Sequence, residues 1–219
     1  MNSSHLSAGI VQENPIVGDI KGNINLAKNA IERILSEEKV DVILFTEMFL
    51  TGYPPEDLIL RDDLLVAVEE ALEGLSKISP DTYIVMGYPR KIGQNIFNSD
   101  GVLHNKEVVL EYHKQELPNY EVFDEKRYFS PGKGPGIFKI GDLKLALTVC
   151  EDIWHTKAVR QASRRGADLI LNLNASPFHL HKLKERKELI SSHSQKYKLP
   201  IVYINQVGGQ DELVFDGTS

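Results

Sequence analysis

The fold of this chain is decided by the segment LTVCEDIW at residues 147–154. An apolar run, Leu143–Val149, leads into the segment, and a polar stretch suited to a helix follows it. This pattern predicts a strand, a sharp turn and a helix, with the only cysteine, Cys150, at the turn. A side chain at such a turn is held on rigid backbone and points toward solvent or substrate.

Cys150 has two interpretations. A single cysteine after a buried strand is more often a small core residue than a nucleophile. The N-terminus of a following helix, however, offers N–H groups and a positive dipole end, which favour a thiolate and can hold an oxyanion. The adjacent carboxylates of Glu151 and Asp152 are poor core material, and they favour the nucleophile.

Bulk composition excludes several classes of protein. The chain has 219 residues, 42% of them hydrophobic, with a net charge of -6 from 25 basic and 31 acidic residues. No dense basic patch is present, so no nucleic-acid partner is expected. One cysteine rules out an intramolecular disulfide and suits a reducing compartment. Residues 1–8 lack a signal-peptide pattern and no run is long enough to cross a bilayer, so we expect a cytoplasmic protein with no membrane partner.

Hydrophobic periodicity and turn residues predict an alternation of strands and helices. Helices are predicted over 23–38, 61–78, 157–165 and 180–197, and single strands over 6–11, 40–46, 83–87, 168–173 and 201–207, with a last strand from 213. Two hairpins are predicted, 95–103 with 108–112 around residues 104–106, and 137–140 with 143–149 around Gly141-Asp142. This order predicts one α/β domain with mixed sheets and helices on the outer faces.

Four loops that follow predicted strands carry Glu47, Lys114, Cys150 and Ser176. Clefts of α/β sheets lie at such edges. Taken alone, Glu47 is better explained as a solvated carboxylate at a strand end, and Lys114 as a surface charge. The stretch 112–129 nevertheless mixes aromatic and charged residues without periodicity, which suits a loop that lines a site.

Glu47, Lys114 and Cys150 make chemical sense together. A carboxylate can take the thiol proton and later activate a water, while a nearby ammonium lowers the thiol pKa and stabilises an oxyanion. The thiolate then attacks an amide or nitrile carbon and forms a thioester-type intermediate. This scheme needs no histidine, and the sequence contains no zinc-ligand pattern.

The order of these three residues resembles the Glu-Lys-Cys triad of the nitrilase (carbon–nitrogen hydrolase) superfamily. The flanking motifs are more specific, and they resemble the N-terminal glutamine amidohydrolase domain of glutamine-dependent NAD+ synthetases. These motifs are FTE at 45–47 with TGYPPEDL at 51–58, KQELPNY at 114–120 with FDEKRYF at 123–129, CEDIW at 150–154 and NASPF at 174–178. The resemblance covers nearly the whole chain.

The resemblance implies a fold and a catalytic triad. The fold is a four-layer α-β-β-α sandwich of the nitrilase type, C-terminally incomplete because the chain ends on Gly-Thr-Ser, where we expect the natural polypeptide to continue. Cys150 is then the nucleophile, Glu47 the base and Lys114 the cation that stabilises the oxyanion. Glu125 would be a further carboxylate near Lys114.

The resemblance also implies a substrate site. Tyr120, Ser176 and Lys182 match positions that bind glutamine, and Glu151 would orient the substrate amine or the attacking water. The alternatives are plain packing for Tyr120 and an ordinary solvated charge for Lys182. A hydroxyl and a short polar loop suit a zwitterionic amino acid without being specific for glutamine.

The implied reaction is hydrolysis of L-glutamine to glutamate and ammonia by a single domain spanning residues 1–219, with no metal or cofactor of its own. The family's C-terminal domain, absent from this sequence, uses ATP and Mg²⁺ to convert deamido-NAD+ to NAD+ with that ammonia, so the whole enzyme is a ligase. A homo-oligomer is expected by resemblance. Two alternatives are a free-standing amidase or nitrilase acting on another small amide, and a catalytically silent regulatory domain, which the intact triad disfavours.

Overall fold

The computed structural model of the protein describes residues 5–219. Residues 1–4 lie outside the described part. They belong to the domain predicted over 1–219 and to the segment 1–8 that was considered for a signal peptide. In the described part no helix is both long and apolar enough to cross a membrane.

The first half of the chain forms a five-stranded sheet in the order β1 to β5. The strands are β1 (Ala8–Ile10), β2 (Val42–Leu44), β3 (Tyr83–Ile92), β4 (Asn95–His104) and β5 (Glu107–His113). β1, β2 and β3 are parallel, as expected for strands joined by helices, whereas β3, β4 and β5 are antiparallel.

The second half forms a four-stranded sheet in the order β6 to β9. An antiparallel hairpin of β6 (Gly136–Ile140) and β7 (Leu143–Val149) continues into the parallel strands β8 (Leu169–Asn174) and β9 (Ile201–Asn205). A separate two-stranded ribbon follows. Its strands are β10 (Val207–Gln210) and β11 (Leu213–Asp216).

Helices cover the outer face of each sheet. Helices α1 (Ile20–Glu37) and α2 (Asp62–Ser76) pack on the first sheet, and α4 (Thr156–Arg164) and α5 (Lys182–Tyr197) pack on the second. Short helical turns lie in loops: 3₁₀ helices at Glu56–Leu60 and Cys150–Trp154, and helix α3 at Glu125–Tyr128.

The two sheets face each other across a shared apolar core. Val85 and Val102 of the first sheet and Leu147 and Leu171 of the second belong to one buried cluster. Ala146, the neighbour of Leu147, packs on the helical side instead, because successive side chains of a strand point to opposite faces. The layers are therefore helices, sheet, sheet, helices, and the predicted four-layer sandwich is confirmed.

Most predicted elements are present, with shifted ends. Helix α1 begins three residues earlier than predicted because the side chain of Asp19 accepts a hydrogen bond from Gly22 N at 2.9 Å and caps it. Strand β3 continues to Ile92 because its residues 84–92 pair with β4. The predicted strand over 201–207 is interrupted at Gln206 and divides into β9 and β10.

Candidate active site

Cys150 lies where β7 turns into a helix, as the sequence predicts. It is 5% exposed and has a positive φ of 38°, a backbone conformation that is unusual outside glycine and is concentrated at functional sites. The Asp152 carboxylate folds back and accepts a hydrogen bond from Val149 N at 3.0 Å, which closes the turn around the thiol. The first helical turn after the strand is 3₁₀, and the α-helix begins at Thr156.

The same Asp152 carboxylate joins the cysteine turn to the loop that follows β5. Its Oδ1 accepts hydrogen bonds from Gln115 N at 3.0 Å and Glu116 N at 2.9 Å, and its Oδ2 accepts one from the Tyr112 hydroxyl at 2.7 Å. The position of Lys114, immediately before Gln115, is thereby fixed relative to Cys150. From the sequence alone Asp152 is only a carboxylate poorly suited to a core, because its partners in the β5 loop lie too far along the chain for sequence spacing to reveal them.

Glu47 is fully buried, so its interpretation as a solvated strand end is wrong. Its Oε1 accepts hydrogen bonds from Lys114 Nζ at 2.8 Å and Asn98 Nδ2 at 2.7 Å, and its Oε2 accepts one from Ala175 N at 2.8 Å. Donors that follow β5 and β8, and one from within β4, thus hold a single carboxylate. An immobilised carboxylate with a defined set of donors suits a general base.

Gly87 of β3 allows the Glu47 segment to lie against the first sheet. A Cβ at this position would overlap the backbone of both Glu47 and Met48. Because any larger residue would push the carboxylate away from Lys114, the fold requires glycine here for packing rather than for a special backbone angle.

Lys114 is the cation between two buried carboxylates. Its Nζ donates to Glu47 Oε1 at 2.8 Å and to Glu125 Oε1 at 2.7 Å, and its side chain has no exposed surface. Burial lowers the pKa of this amine, but the charges of Glu125 and Glu47 outweigh burial and hold the pKa well above its ordinary value. Lys114 is therefore charged at every physiological pH, and its interpretation as a surface charge is wrong.

Glu125, from helix α3, completes this buried group. Burial raises its pKa to about 7, although the charge of Lys114 acts in the opposite direction. Its Oε1 also accepts a hydrogen bond from the Tyr53 hydroxyl at 2.9 Å. Near neutral pH the cluster thus holds one ammonium, the Glu47 carboxylate and a second carboxyl that exchanges a proton.

The raised pKa of Glu125 makes a prediction about stability. Because the folded state holds the proton more tightly than the unfolded chain, this group's contribution to stability decreases as the pH rises from 4.5 to about 7. Glu125→Gln mimics the protonated form, so we expect its free energy of unfolding at pH 8 to exceed that of the wild type by as much as about 3 kcal/mol, with little difference near pH 4.5.

Denaturant unfolding of both proteins at several pH values measures this difference. A suitable control is Glu116→Gln, because Glu116 forms a partly exposed ion pair with Lys157 and its loss should change the free energy of unfolding by less than about 0.5 kcal/mol. Equal pH dependence of the wild type and Glu125→Gln would contradict the assignment.

The Cys150 thiol is protonated at rest. Burial raises its pKa most, and Glu47 raises it further; Lys114 lowers it, as predicted from the sequence, but the net pKa lies well above the ordinary value. The expectation that the thiolate is favoured is therefore wrong for the resting state. Removal of the proton requires a base, and Glu47 is the buried carboxylate with the largest influence on the thiol.

Tyr120 and Glu151 form a polar pair near the thiol. The Tyr120 hydroxyl donates to Glu151 Oε2 at 2.9 Å, and His155 Nε2 lies 3.3 Å from Glu151 Oε1. The Tyr120 ring is half-exposed and makes an edge contact with Phe123 at a centroid distance of 5.5 Å. Tyr120 therefore packs within the aromatic loop and also presents a polar group, and its role in substrate binding stays a prediction.

Tyr120, Ser176 and Lys182 line one cavity of about 210 Å³, together with Phe178 and Val214. The structure thus brings together three of the four residues that the sequence suggested for substrate binding. The fourth, Glu151, lines a separate cavity of about 540 Å³ that also includes Tyr120. Helix α5 begins at Lys182, two residues later than predicted, so Lys182 lies in the first turn as expected, and its Nζ lies above the ring of Trp154.

The loop that carries Ser176 is held by a buried arginine. Arg186 is 2% exposed; its Nη2 donates to the Ser176 carbonyl at 2.7 Å and lies 3.1 Å from Ser176 Oγ, while its Nη1 donates to Asp216 Oδ1 at 2.7 Å. Asn205 adds a second support by accepting a hydrogen bond from Ser176 N at 2.8 Å. Sequence reasoning missed Arg186 because it lies in a basic helix, where its spacing resembles that of solvated charges.

Arg186 should therefore control substrate affinity rather than chemistry. Arg186→Lys keeps the charge but cannot reach both Ser176 and Asp216, since an ammonium lacks the fork of a guanidinium. We expect the KM of an amino-acid substrate to rise about tenfold, with a much smaller change in kcat.

Steady-state kinetics of Arg186→Lys measures this change, and thermal unfolding verifies that the fold is retained. Lys184→Met, a change at a 77% exposed side chain on the same helix, is the control and should leave KM unaltered. A fall in kcat with KM unchanged would contradict the role of Arg186.

The buried groups together suit attack on an amide carbon: a thiol, a base that can take its proton and an ammonium that can stabilise a negative oxygen. Among residues 5–219, no three His, Cys, Asp or Glu side chains are grouped so as to hold a metal ion.

Comparison with known proteins agrees with this geometry. The sequence model of the family described as carbon–nitrogen hydrolase matches residues 7–219. The chain belongs to this family. The candidate site residues described above thus lie within the part that matches carbon–nitrogen hydrolases.

Similar proteins divide into two groups. The chain is 40% identical over 221 residues to a glutamine-dependent NAD(+) synthetase of Thermotoga maritima. The match covers 98% of this chain and 38% of that protein. The structure of a glutamine-dependent NAD+ synthetase from Acinetobacter baumannii has a TM-score of 0.93 and 36% identity, and the match covers 97% of this chain and 40% of that one. The chain therefore spans about two fifths of the length of these relatives.

The second group contains an amidase from Nesterenkonia sp. Its structure has a TM-score of 0.85 and 26% identity, and the match covers 99% of this chain and 81% of that one. A further structure of this amidase shows acrylamide added at the active-site cysteine.

Proposed function

We propose that this domain hydrolyses L-glutamine to glutamate and ammonia, and that the ammonia is used in the ATP-dependent amidation of deamido-NAD+ to NAD+. The observation that carries the proposal is a combination of charges. A protonated thiol lies near Glu47, Lys114 and Glu125. Tyr120 lines two cavities, one of about 540 Å³ that Glu151 also lines and one of about 210 Å³ that Lys182 also lines.

The reaction proceeds through a thioester. Glu47 takes the Cys150 proton while sulfur attacks the side-chain amide carbon, and Lys114 stabilises the resulting oxyanion. The carbon–nitrogen bond breaks as Glu47 returns the proton to the leaving nitrogen, which departs as ammonia. Glu47 then takes a proton from water and the hydroxide attacks the thioester. The carbon–sulfur bond breaks as Glu47 returns that proton to the sulfur, which regenerates the thiol and releases the γ-carboxyl group of glutamate, whose own proton passes to solvent.

Recognition of the amino-acid end uses opposite charges on either side of Tyr120. Glu151, with Tyr120 as its hydrogen-bond donor, pairs with the α-ammonium of glutamine, while Ser176 and Lys182 pair with the α-carboxylate. A zwitterion is thus matched by an anionic and a cationic group in two cavities that share Tyr120, and an uncharged amide would leave both groups unpaired.

The ammonia acceptor is a synthetase domain that binds ATP and Mg²⁺. Two observations support this partner: the synthetase relatives are much longer than this chain, and the mouth of the smaller cavity exposes apolar side chains. Tyr120, Val122, Phe178 and Val214 are each about half exposed there, and an exposed apolar patch beside a site is typical of a protein contact. We place the enzyme in the cytoplasm, as a homo-oligomer.

A second candidate is a free-standing amidase acting on another small amide. The similarity to the Nesterenkonia amidase favours it, because the present chain covers most of that protein. The charges of Glu151 and Lys182 favour glutamine, since a simple aliphatic amide carries no charged groups that could pair with them.

Covalent labelling distinguishes these functions without requiring turnover. We expect a glutamine-mimicking diazoketone to add once to the purified protein, as read by intact mass, and to add nothing to Cys150→Ala. Excess L-glutamine should block the adduct, whereas propionamide at the same concentration should not. Equal protection from labelling by the two amides would favour the amidase. Labelling of Cys150→Ala would contradict the assignment of Cys150 as the nucleophile.

A further inference from the structure

Lys182 and Trp154 form a cation–π pair at the wall of the candidate substrate cavity. Lys182 Nζ lies 4.0 Å from the centroid of the Trp154 ring, well inside the distance at which an ammonium is attracted to an aromatic face. Lys182 lines the cavity, and Trp154 is the last residue of the 3₁₀ helix that begins at Cys150. One short helix therefore carries both the nucleophile and the aromatic support of the cavity's cation.

The Trp154 ring holds the Lys182 ammonium but leaves its charge free to bind an anion. Within residues 5–219, no carboxylate lies in ion-pair distance of its ammonium, unlike Lys157 and Lys184, which pair with Glu116 and Glu188. A carboxylate partner would neutralise the cation, whereas the ring quadrupole holds it in place and still permits an anion on its other side. The arrangement thus restricts a flexible lysine without satisfying its charge.

The ring of Trp154 is itself fixed. It is partly buried and packs against an apolar cluster that includes Ile153 and Val159, beneath helices α4 and α5. A cation held on a fixed ring binds an anionic group with less loss of side-chain entropy than a free lysine does.

We propose that Trp154 is a positioning residue that holds the Lys182 ammonium for the substrate carboxylate, and so makes the site prefer amides that carry an α-carboxylate. This inference rests on the proposed function, because it assigns the carboxylate-binding side of that same site. Trp154 acts through Lys182 and takes no part in bond making.

The test compares L-glutamine with its methyl ester, which keeps the amine and the side-chain amide but lacks the negative charge. For Trp154→Leu we expect the KM of glutamine to rise about three- to tenfold with kcat changed less than about twofold, and the KM of the ester to stay the same. Trp154→Phe, which keeps a weaker aromatic face, should lie between the wild type and Trp154→Leu.

A double-mutant cycle separates positioning from general packing. Lys182→Met should lose the preference for glutamine over the ester, and Trp154→Leu should cause no further loss in that background. Tyr197→Leu is the matched control, because Tyr197 also packs on this apolar cluster and has Lys196 Nζ 5.4 Å from its ring centroid, but it lies at the other end of α5. This control should leave the preference unchanged.

The single tryptophan of the chain gives a second readout. In a Cys150→Ala background, glutamine should change the Trp154 fluorescence because its carboxylate forms an ion pair with the Lys182 ammonium above the ring. The ester should change the fluorescence much less. The same titration with Lys182→Met should show no difference between the two ligands.

Two contrary results are distinguishable. If the wild type prefers glutamine to the ester and Trp154→Leu keeps that preference, the positioning role is overturned while the proposed function stands. If the wild type hydrolyses glutamine and the ester equally, the carboxylate is not recognised, and the substrate assignment is overturned together with the role of Trp154.

Discussion

Cys150→Ala is expected to lower glutamine hydrolysis by at least about 10⁴-fold, because no other group can form the thioester. Among the described residues the thiol is the only group that combines a nucleophilic atom with the buried base Glu47 and the cation Lys114. The stability cost should be small, about 1 kcal/mol, since only one sulfur atom leaves the core. Loss of activity without unfolding is therefore the signature of the nucleophile.

Release of glutamate and ammonia, measured together with denaturant unfolding, checks this expectation. Cys150→Ser is the closest control: it keeps the shape, but its hydroxyl has a higher pKa than a thiol, so activity should remain nearly as low as in Cys150→Ala. Hydrolysis by either variant within tenfold of the wild type would show that another group attacks the amide.

The layered fold is largely predictable from local sequence. Alternating and periodic apolar residues identify the strands and helices, and short turns such as Asn105-Lys106, with φ of 51° and 70°, identify the hairpins. What local sequence does not reveal is pairing. The extension of β3 to Ile92 depends on β4, and the break between β9 and β10 at Gln206 depends on how the chain turns after the second sheet.

The candidate site, too, is only partly predictable from the sequence. Glu47, Lys114 and Cys150 each follow a predicted strand, and their order identifies them by resemblance. Their burial was not predictable, because a carboxylate or lysine at a strand end is usually solvated. Arg186 and Asn98 stayed hidden since their roles are defined only by partners far along the chain, Ser176 and Glu47.

Lys114→Met is expected to have the largest combined effect, on activity and on stability. It removes the cation that bridges Glu47 and Glu125, and breaking a buried ion pair from one side costs about 3–5 kcal/mol. Loss of oxyanion stabilisation should lower kcat by about 10³-fold or more. The stability loss should be greater at pH 8 than at pH 5.5, because at low pH Glu125 takes up a proton and relieves the repulsion of two carboxylates.

A second substitution separates the two effects. Lys114→Met with Glu125→Gln leaves one buried carboxylate instead of two, so we expect it to recover part of the stability lost at pH 8 and to reduce the pH dependence. It should recover no activity, because the cation that stabilises the oxyanion is still missing. If the double variant regains stability and catalysis together, Lys114 serves only to hold the fold; if it regains neither, Glu125 is not the carboxylate that Lys114 neutralises. Recovery of stability alone is the expected result, because Lys114 both stabilises the buried carboxylates and takes part in the chemistry.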